Sequence, residues 1–303
     1  MPAGKPTLIV IAGPTAVGKT GAAIRLAQSL GTEIVSADSR QCYTGMHIGT
    51  AQPSAAELAL VPHHFVNCFP PERSLSAADY EKLALSYLDT IFQKNDYAIA
   101  CGGTGLYIKA LCEGLDDMPP VAPDIEAQLN QNYAREGMDW LQQKIAEADP
   151  VFYASSGETA NPSRMLRALA FRLSTGESIT SYQTGIKKER PFGIIKVGLE
   201  LPRAELYDRI NTRVDQMIQE GLLQEAEQLF PLRHLKNLNT VGYSELFDYF
   251  EGKLSLAQAI DKIKQHSRNY AKRQLTWFKK DKAFHWLPAN APDLHQKIAD
   301  IMR

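Results

Sequence analysis

The sequence predicts an α/β fold, in which a parallel sheet is flanked by helices and interrupted by a helical insertion. Apolar runs of strand length alternate with amphipathic helical patterns, the order typical of parallel strands joined by crossover helices. A glycine-rich loop joins the first of these runs to the first helix. After a proline-rich break the pattern is helical alone over residues 124–184, and a strand-like run returns at 193–199.

The glycine-rich loop lies between the apolar run 8–12 and a helical pattern over 21–30. Its residues are Gly13, Pro14, Thr15, Ala16, Val17, Gly18, Lys19 and Thr20. They fit G-x-x-x-x-G-K-[ST], the phosphate-binding loop or P-loop, so the predicted core is P-loop NTPase-like. Its N–H groups favour anions, Lys19 adds a point charge, and the Thr20 hydroxyl can ligate Mg²⁺. The loop predicts a bound phosphate ester without identifying it, and a simple glycine-rich turn is the disfavoured alternative.

The second predicted strand, 32–37, ends at Asp38, which Ser39, Arg40 and Gln41 follow. Ligands of an open parallel sheet bind beyond the carboxyl ends of its strands, so Asp38 is expected at the same edge as the P-loop. A carboxylate there can accept a proton from a nucleophile or bind a water of Mg²⁺. The alternative is an Asp that caps the following segment. The nearby P-loop favours the functional role.

Residues 42–72 are predicted to be irregular, and a helix is expected over 76–92. Ser76 and Asp79 match the capping box at its start only loosely, because Glu or Gln is usual at the second position. The adjacent His63 and His64 have no third ligand at a sensible spacing, so a metal site is disfavoured there.

The third predicted strand, 96–101, ends in the glycine-rich segment 102–107. A P-loop ATPase usually has an Asp at such a strand end, where it helps to hold Mg²⁺. Here paired glycines are expected to let a ligand approach the backbone closely. Thr104 can bind a phosphate, position a base or cap the next helix.

Three prolines within 119–123 break the alternation of strands and helices and indicate a linker. The predicted domains are therefore a core of 1–118 and 190–303 and a helical insertion of 119–189. Arg164 and Arg167 lie on one helix of this insertion. Composition alone favours the simpler interpretation, in which both are charges on a solvated helix.

Two later helices carry positive charge. The predicted helix 204–220 places Arg209 and Arg213 on one face, where either can reach a phosphate. The last long helix, 255–282, has eight Lys or Arg and a single acid between residues 262 and 282. Its aromatic residues could stack on unpaired bases while the basic residues contact phosphates. A solvated helix whose aromatic residues belong to the core explains the pattern equally well.

Composition excludes few function classes. The net charge of −1 gives no argument for nucleic-acid binding without a local patch such as the last helix. Neither a membrane-spanning apolar run nor a signal peptide is recognisable, so no membrane contact is expected. The four cysteines show no C-x-x-C pair, which indicates free thiols in a reducing cytoplasm.

Six segments in a fixed order carry a resemblance to a known family. They are the P-loop and residues 36–39, 45–51, 102–107, 240–243 and 272–277. Together they resemble the tRNA dimethylallyltransferase (tRNA isopentenyltransferase) family in its bacterial form, without the zinc finger of eukaryotic relatives. The family transfers a dimethylallyl group from its pyrophosphate to N6 of the adenosine directly 3′ of the tRNA anticodon.

The resemblance implies a role for each matching residue. Asp38 is the implied general base, and Thr104, Lys19 and Arg213 are the other implied catalytic residues. The P-loop is implied to bind the pyrophosphate, with Thr20 at Mg²⁺. The implied contacts to the tRNA anticodon stem-loop are Asp38, Ser39, Arg40, Gln41, Thr104, Ser163, Arg164, Met165, Leu166, Arg167, Asn239, Thr240, Val241, Gly242, Tyr243, Ser244, Lys272, Arg273, Gln274, Leu275, Thr276, Trp277, Phe278 and Lys279.

The resemblance has departures and leaves alternatives. Ser244 and Glu126 stand where the family often has a basic residue, so two tRNA contacts are expected to be missing or replaced. The implied partners are tRNA and dimethylallyl pyrophosphate, and a cytoplasmic monomer is expected. The alternatives are a small-molecule kinase, an adenylate isopentenyltransferase that modifies a free nucleotide, and a non-catalytic P-loop module that binds RNA.

Overall fold

The computed structural model describes residues 5–155 and 159–302. Within them the strands are β1 (Thr7–Ala12), β2 (Ile34–Ser36), β3 (His63–His64), β4 (Tyr97–Gly102), β5 (Gly193–Glu200) and β6 (Phe284–Pro288). The α-helices of the same residues are α1 (Lys19–Leu30), α2 (Ala55–Leu60), α3 (Ala77–Phe92), α4 (Gly105–Glu113), α5 (Pro123–Ala148), α6 (Pro150–Ser155), α7 (Pro162–Thr175), α8 (Arg203–Gln219), α9 (Leu222–Leu229), α10 (Tyr243–Phe250), α11 (Leu256–Phe278) and α12 (Leu294–Ile301).

The strands of these residues form one parallel sheet in the order β3-β2-β4-β1-β5-β6. The predicted P-loop α/β fold is therefore confirmed. In β1, Ile9 is paired with Ile99 of β4 on one side and Ile195 of β5 on the other. Alternate residues of β1 belong to different hydrophobic clusters, Leu8 and Val10 to one and Ile9 and Ile11 to the other. Burial on both faces explains why the strand is a continuous apolar run.

Several predicted elements are confirmed and others were missed. Ser76 and Asp79 form a complete capping box at the start of α3, so the loose match is genuine. Residues 42–72 were wrongly expected to be irregular, because they contain α2 and β3. β3 has two residues and depends on pairing with β2, a contact that no local pattern reveals. Strand β6 was also missed, and α11 ends at Phe278 rather than at 282.

The two adjacent histidines lie in β3 and have protein partners. Nε2 of His64 lies 2.6 Å from Oε2 of Glu33, and Nδ1 of His63 lies 2.8 Å from the Val61 carbonyl oxygen. Across residues 5–155 and 159–302, no three His, Cys, Asp or Glu side chains are grouped so that they could hold a metal ion.

Contacts divide the chain into two compact units, one made of residues up to Gly114 and from Glu189, the other of Leu115–Lys188. The predicted insertion was 119–189. The second unit has its own core, in which residues of α5, α6 and α7 pack together. Its buried members include Leu141, Ile145, Phe152, Met165, Leu169 and Phe171. None of the helices that the structure describes is long and apolar enough to span a membrane.

Candidate active site

A cavity of about 630 Å³ lies where β1, β2 and β4 end. The P-loop, the segment from Asp38 to Gln41 and Gly102 line it from the sheet. The other walls come from α8, α11, the loop 49–53 and residues 240–242. The expected position of Asp38, at the same edge as the P-loop, is confirmed. Its chemical role stays a prediction.

The backbone of the P-loop requires glycine at two positions. Gly13 has φ +149°, and a Cβ there would lie 2.6 Å from the Leu199 carbonyl oxygen of β5. Gly18 precedes α1 in a left-handed conformation, with φ +100°. Because β1 is flanked by β4 and β5, this loop lies at the centre of the sheet edge, in front of the N-terminus of α1.

Lys19 is half-buried at the start of α1. Its Nζ donates to the Pro14 carbonyl oxygen over 2.7 Å. Burial lowers the pKa of Lys19 to about 8, because the charged form is removed from water; the nearby Cys101 and Asp38 partly oppose this, and Arg213 adds to it. A bound anion would stabilise the charged form of this ammonium, which lies partly out of water and interacts with the Arg213 guanidinium.

Asp38 caps the following turn and also faces the cavity, so the structural and the functional interpretation of this residue do not exclude each other. Its Oδ1 accepts from the N–H of Arg40 over 2.9 Å and of Gln41 over 3.4 Å, so this oxygen caps the following turn. The same side chain lines the cavity. The backbone before it is held by β4 and the turn after β4, because the Ala37 N–H donates to the Cys101 carbonyl oxygen over 2.8 Å and the Ala37 carbonyl accepts from the Thr104 N–H over 3.1 Å.

Thr104 occupies the N-cap position of α4, but its side chain does not cap that helix. Its Oγ1 accepts from the N–H of Ser39 over 3.0 Å and donates to the Ser39 Oγ over 3.3 Å. Tyr270 of α11 also interacts with Thr104, and burial is the main cause that raises the pKa of Tyr270 to about 12. Thr104 therefore connects the Asp38–Ser39 segment to α11 through Tyr270, one of the aromatic residues that the sequence offered for stacking on bases.

The two arginines of α8 differ in their surroundings. Arg213 lines the cavity and is half-buried; desolvation lowers its pKa, while Asp38 opposes that shift. Arg209 lies at the exposed rim, where its Nη2 donates to Glu205 over 2.8 Å. Arg213 is therefore the arginine placed to contact a ligand in the interior of the cavity.

Four of the predicted tRNA contacts have buried side chains. Met165, Tyr243, Gln274 and Phe278 are 0–6% exposed. Phe278 packs against Phe284 with ring centroids 5.5 Å apart, and Met165 lies in the core of the second unit. A side-chain contact to RNA at Met165, Tyr243 and Phe278 is therefore wrong, because protein encloses these three side chains, whereas the buried Gln274 lines the cavity.

The other predicted tRNA contacts are partly or fully accessible. On the insertion, Ser163, Arg164 and Arg167 are exposed on α7, and Leu166 is half-buried. In the other unit, Asn239, Lys272, Arg273, Thr276, Trp277 and Lys279 are exposed, and Ser39, Arg40, Gln41, Thr240, Val241, Ser244 and Leu275 are half-buried. Gly242 is buried and precedes α10 with φ +103°.

The basic residues that the sequence concentrates on the last long helix are partly paired with other elements. Lys264 lies 2.6 Å from Asp215, and Arg268 donates to Asn211 over 2.6 Å, so both interact with α8. Lys279, just past the helix, lies 2.8 Å from Glu200. Lys272 and Arg273 remain on the exposed side, with the Arg273 guanidinium 5.6 Å from the Tyr270 ring centroid.

Glu225 of α9 is an important residue that sequence reasoning missed. Its carboxylate accepts from the N–H groups of His47, Ile48 and Gly49 over 2.8–2.9 Å. It also accepts from the Tyr243 hydroxyl over 2.6 Å. Gly49 has no room for a side chain, because a Cβ would lie 2.5 Å from the Tyr243 ring. Glu225 thus joins two segments of the resemblance, 45–51 and 240–243, and no local signal distinguishes it from other glutamates.

Together the fold and the cavity define a class of protein. A P-loop, a carboxylate at the next strand end and a half-buried arginine surround one cavity, as expected of a P-loop α/β enzyme that acts on a phosphate ester.

Comparison with known proteins identifies the family. A family model described as IPP transferase matches residues 41–281. The chain is 46% identical over 296 residues to a tRNA dimethylallyltransferase 1 of Phocaeicola vulgatus, covering 97% of this chain and 98% of that protein. It is 48% identical over 279 residues to a tRNA dimethylallyltransferase of Christiangramia forsetii, covering 92% of each. The crystal structure of the tRNA isopentenylpyrophosphate transferase of Bacillus halodurans matches with TM-score 0.72 and 36% identity, over 98% of this chain and 97% of that one. The chain belongs to the IPP transferase family, and the resemblance drawn from its motifs is confirmed.

Proposed function

We propose that this protein transfers the dimethylallyl group of dimethylallyl pyrophosphate to N6 of the adenosine directly 3′ of the anticodon in tRNA, and releases pyrophosphate. The observation that carries the proposal is that the P-loop, Asp38 and Arg213 line one and the same cavity. Family membership identifies the class of reaction. The cavity contains a group suited to removing the proton of the acceptor and groups suited to stabilising the leaving pyrophosphate.

The reaction exchanges one bond for another. The adenine N6 attacks C1 of the dimethylallyl group, and the C1–O bond breaks with its electron pair left on the pyrophosphate. The N6 proton passes to Asp38, the general base. Lys19 and Arg213 stabilise the charge that grows on the bridging oxygen. Because the migrating carbon is allylic, concerted and dissociative routes are both compatible with these groups.

Mg²⁺ fits the residues of this cavity. Thr20 offers a hydroxyl and Asp38 a carboxylate, and both line the cavity with the P-loop. Mg²⁺ prefers oxygen ligands and is commonly held by one or two protein groups together with substrate phosphates and water. When bound, it would neutralise part of the charge on the leaving pyrophosphate.

The tRNA is proposed to contact exposed basic residues. Lys272 and Arg273 lie on the exposed side of α11, whose other face lines the cavity through Ile263, Tyr270 and Gln274. Arg164 and Arg167 are exposed on the insertion. The adenosine must leave its stack to react, at a cost of roughly a few kcal/mol that contacts to the anticodon arm would offset.

One assay tests this function against its alternatives. The protein is incubated with radiolabelled dimethylallyl pyrophosphate and Mg²⁺, together with tRNA, AMP or ATP as the acceptor. Label in tRNA alone supports the proposal. Label in AMP but not in tRNA would identify an adenylate isopentenyltransferase. Phosphate transfer from ATP to a small molecule would identify a kinase, and tRNA binding without any transfer would identify an RNA-binding module.

A further inference from the structure

Gln274 is a buried polar residue on α11 that bonds two distant loops. Its side chain is 6% exposed. The Oε1 atom accepts from the N–H of Thr15 over 2.8 Å, and Nε2 donates to the Gly103 carbonyl oxygen over 2.9 Å. One amide side chain therefore connects the P-loop to the turn between β4 and α4.

The P-loop peptide group that Gln274 contacts also holds Lys19. The N–H of Thr15 and the carbonyl of Pro14 belong to the same peptide group. Gln274 bonds its N–H, while the Lys19 ammonium donates to its carbonyl oxygen over 2.7 Å. Because a peptide group is planar, fixing its N–H also fixes the direction of its carbonyl. Gln274 thereby orients the group to which the Lys19 ammonium is bonded.

The paired glycines after β4 are explained by the same arrangement. A Cβ at Gly103 would lie 2.2 Å from Nε2 of Gln274, and one at Gly102 would lie 2.2 Å from the Ala37 carbonyl oxygen. The sequence prediction was that these glycines let a ligand approach the backbone. In the structure both glycines make room for protein atoms, Ala37 at one and Gln274 at the other, and Gly102 also lines the cavity.

We propose that Gln274 is a positioning residue for pyrophosphate binding, rather than a contact to tRNA. It holds the Pro14–Thr15 peptide group against the turn at Gly103, and so places Lys19 at the cavity. This inference rests on the proposed function, since it takes the P-loop as the pyrophosphate site. Neighbouring residues on the same helix, Lys272 and Arg273, are exposed and remain the candidates for tRNA contact.

The test replaces Gln274 by a side chain of similar length that cannot form these hydrogen bonds. Gln274→Met leaves the N–H of Thr15 and the carbonyl of Gly103 without this partner. We expect the Kd of inorganic pyrophosphate, measured by titration calorimetry, to rise about tenfold or more, as for loss of a buried hydrogen bond. The KM for dimethylallyl pyrophosphate should rise in parallel, whereas the Kd of tRNA should stay unchanged. Gln265→Met, at an exposed position of α11, is the matched control and should change none of these values.

A second variant reaches the same contact from the other side. Gly103→Ala places a methyl group where Nε2 of Gln274 lies, so it should weaken pyrophosphate binding in the same way. If both changes act through one contact, the double variant should bind pyrophosphate no more weakly than Gln274→Met alone. Gly103→Ala by itself tests the contact if Gln274→Met lowers the yield of folded protein, which thermal melts will report.

The outcomes separate this inference from the proposed function. Unchanged pyrophosphate affinity in Gln274→Met would overturn the inference, and loss of tRNA affinity alone would identify Gln274 as a tRNA contact. If the wild-type protein binds pyrophosphate and modifies tRNA, the proposed function stands whatever the variants do. If the wild-type protein does not bind pyrophosphate, both are wrong.

Discussion

At the residue scale, the polar side chains to which we assign chemical roles also make structural contacts. Asp38 caps a turn with one carboxylate oxygen, and Lys19 donates to the backbone of its own loop. Such contacts hold each group in one orientation before a substrate binds. Because preorganised groups need no rearrangement during the reaction, this arrangement favours catalysis.

The role of Asp38 can be separated from its capping contact. Asp38→Asn keeps a carbonyl oxygen for the N–H groups of Arg40 and Gln41 but removes the base. We expect kcat to fall by ~10²–10⁴-fold, the usual contribution of a general base, with tRNA affinity retained. Single-turnover transfer and filter binding of tRNA measure the two effects. A kcat near that of the wild-type protein would make Asp38 a purely structural residue.

Lys19 predicts a pH dependence of pyrophosphate binding. Burial lowers its pKa to about 8 in the ligand-free protein, so its charge is lost as the pH rises through that value. Bound pyrophosphate favours the charged form. The affinity advantage of wild-type protein over Lys19→Met should therefore be full below about pH 8 and shrink above it. Titration calorimetry of both proteins from pH 6 to about pH 10 tests this, and an advantage independent of pH would contradict it.

Arg213 should affect pyrophosphate binding rather than tRNA binding. Its effect should not depend on pH near 8, where Lys19 loses its charge. Arg213→Ala should weaken pyrophosphate binding and slow transfer, with tRNA affinity little changed, because the guanidinium lies within the cavity. Arg209→Ala, at the rim beside Glu205, is the matched comparison and should have the smaller effect. Equal loss of tRNA affinity in the Arg213 and Lys19 variants would mean that the P-loop faces RNA.

At the element scale, α11 shows how one helix divides its residues among several faces. Gln274 and Phe278 face inward, Lys264 and Arg268 interact with α8, and Lys272 is exposed. The sequence indicated that basic residues concentrate on this helix. Which of them are paired depended on an acid and an amide contributed by α8.

The lysines of this region should therefore differ in their effect on tRNA binding. Lys272→Ala should weaken binding and lower the slope of log affinity against log salt by about 0.7–0.9, the value for one lost phosphate contact. Lys264→Ala should change the slope less, because Lys264 is paired with Asp215. Lys279→Ala should fall between them, since Lys279 is paired with Glu200 but exposed. Equal slopes for wild type and Lys272→Ala would make α11 an ordinary solvated helix.

The contact between α9 and the loop 47–49 makes a prediction about stability. Glu225→Gln replaces one carboxylate oxygen by an NH₂ group that would face hydrogen-bond donors. We expect a loss of roughly 1–3 kcal/mol in the free energy of unfolding, the usual cost of an unsatisfied buried polar group. Urea denaturation measures it, and Glu227→Gln, at an exposed position of α9, is the control. Equal stability of the two variants would show that the loop does not depend on Glu225.

At the scale of the whole molecule, the order of the strands accounts for where the site lies. β1 is central, with β4 and β2 on one side and β5 on the other. The loops after β1, β2 and β4 therefore meet at one edge, although their residues are far apart in sequence. The alternate faces of the sheet hold separate hydrophobic clusters, which keep that edge rigid.

Much of the candidate site could be predicted because its signals are local. The P-loop is a contiguous motif between a strand and a helix, and Asp38 directly follows a recognisable strand. Strand β1 is a buried apolar run, so residues 8–12 alone were enough to predict a strand. The family resemblance likewise rested on short ordered segments.

The remainder was decided by contacts between residues distant in sequence. Gln274 and Thr15 are 259 positions apart, and Glu225 and His47 are 178 apart. Nothing in a local pattern distinguishes a glutamine that bonds the P-loop from one that faces water, because both stand on an amphipathic helix. The short strand β3 exists through pairing with β2, and burial of Phe278 depends on packing against Phe284. Local hydrophobic pattern and turn chemistry therefore identified the elements and the P-loop, whereas tertiary packing decided which polar side chains support the site and which remain available to RNA.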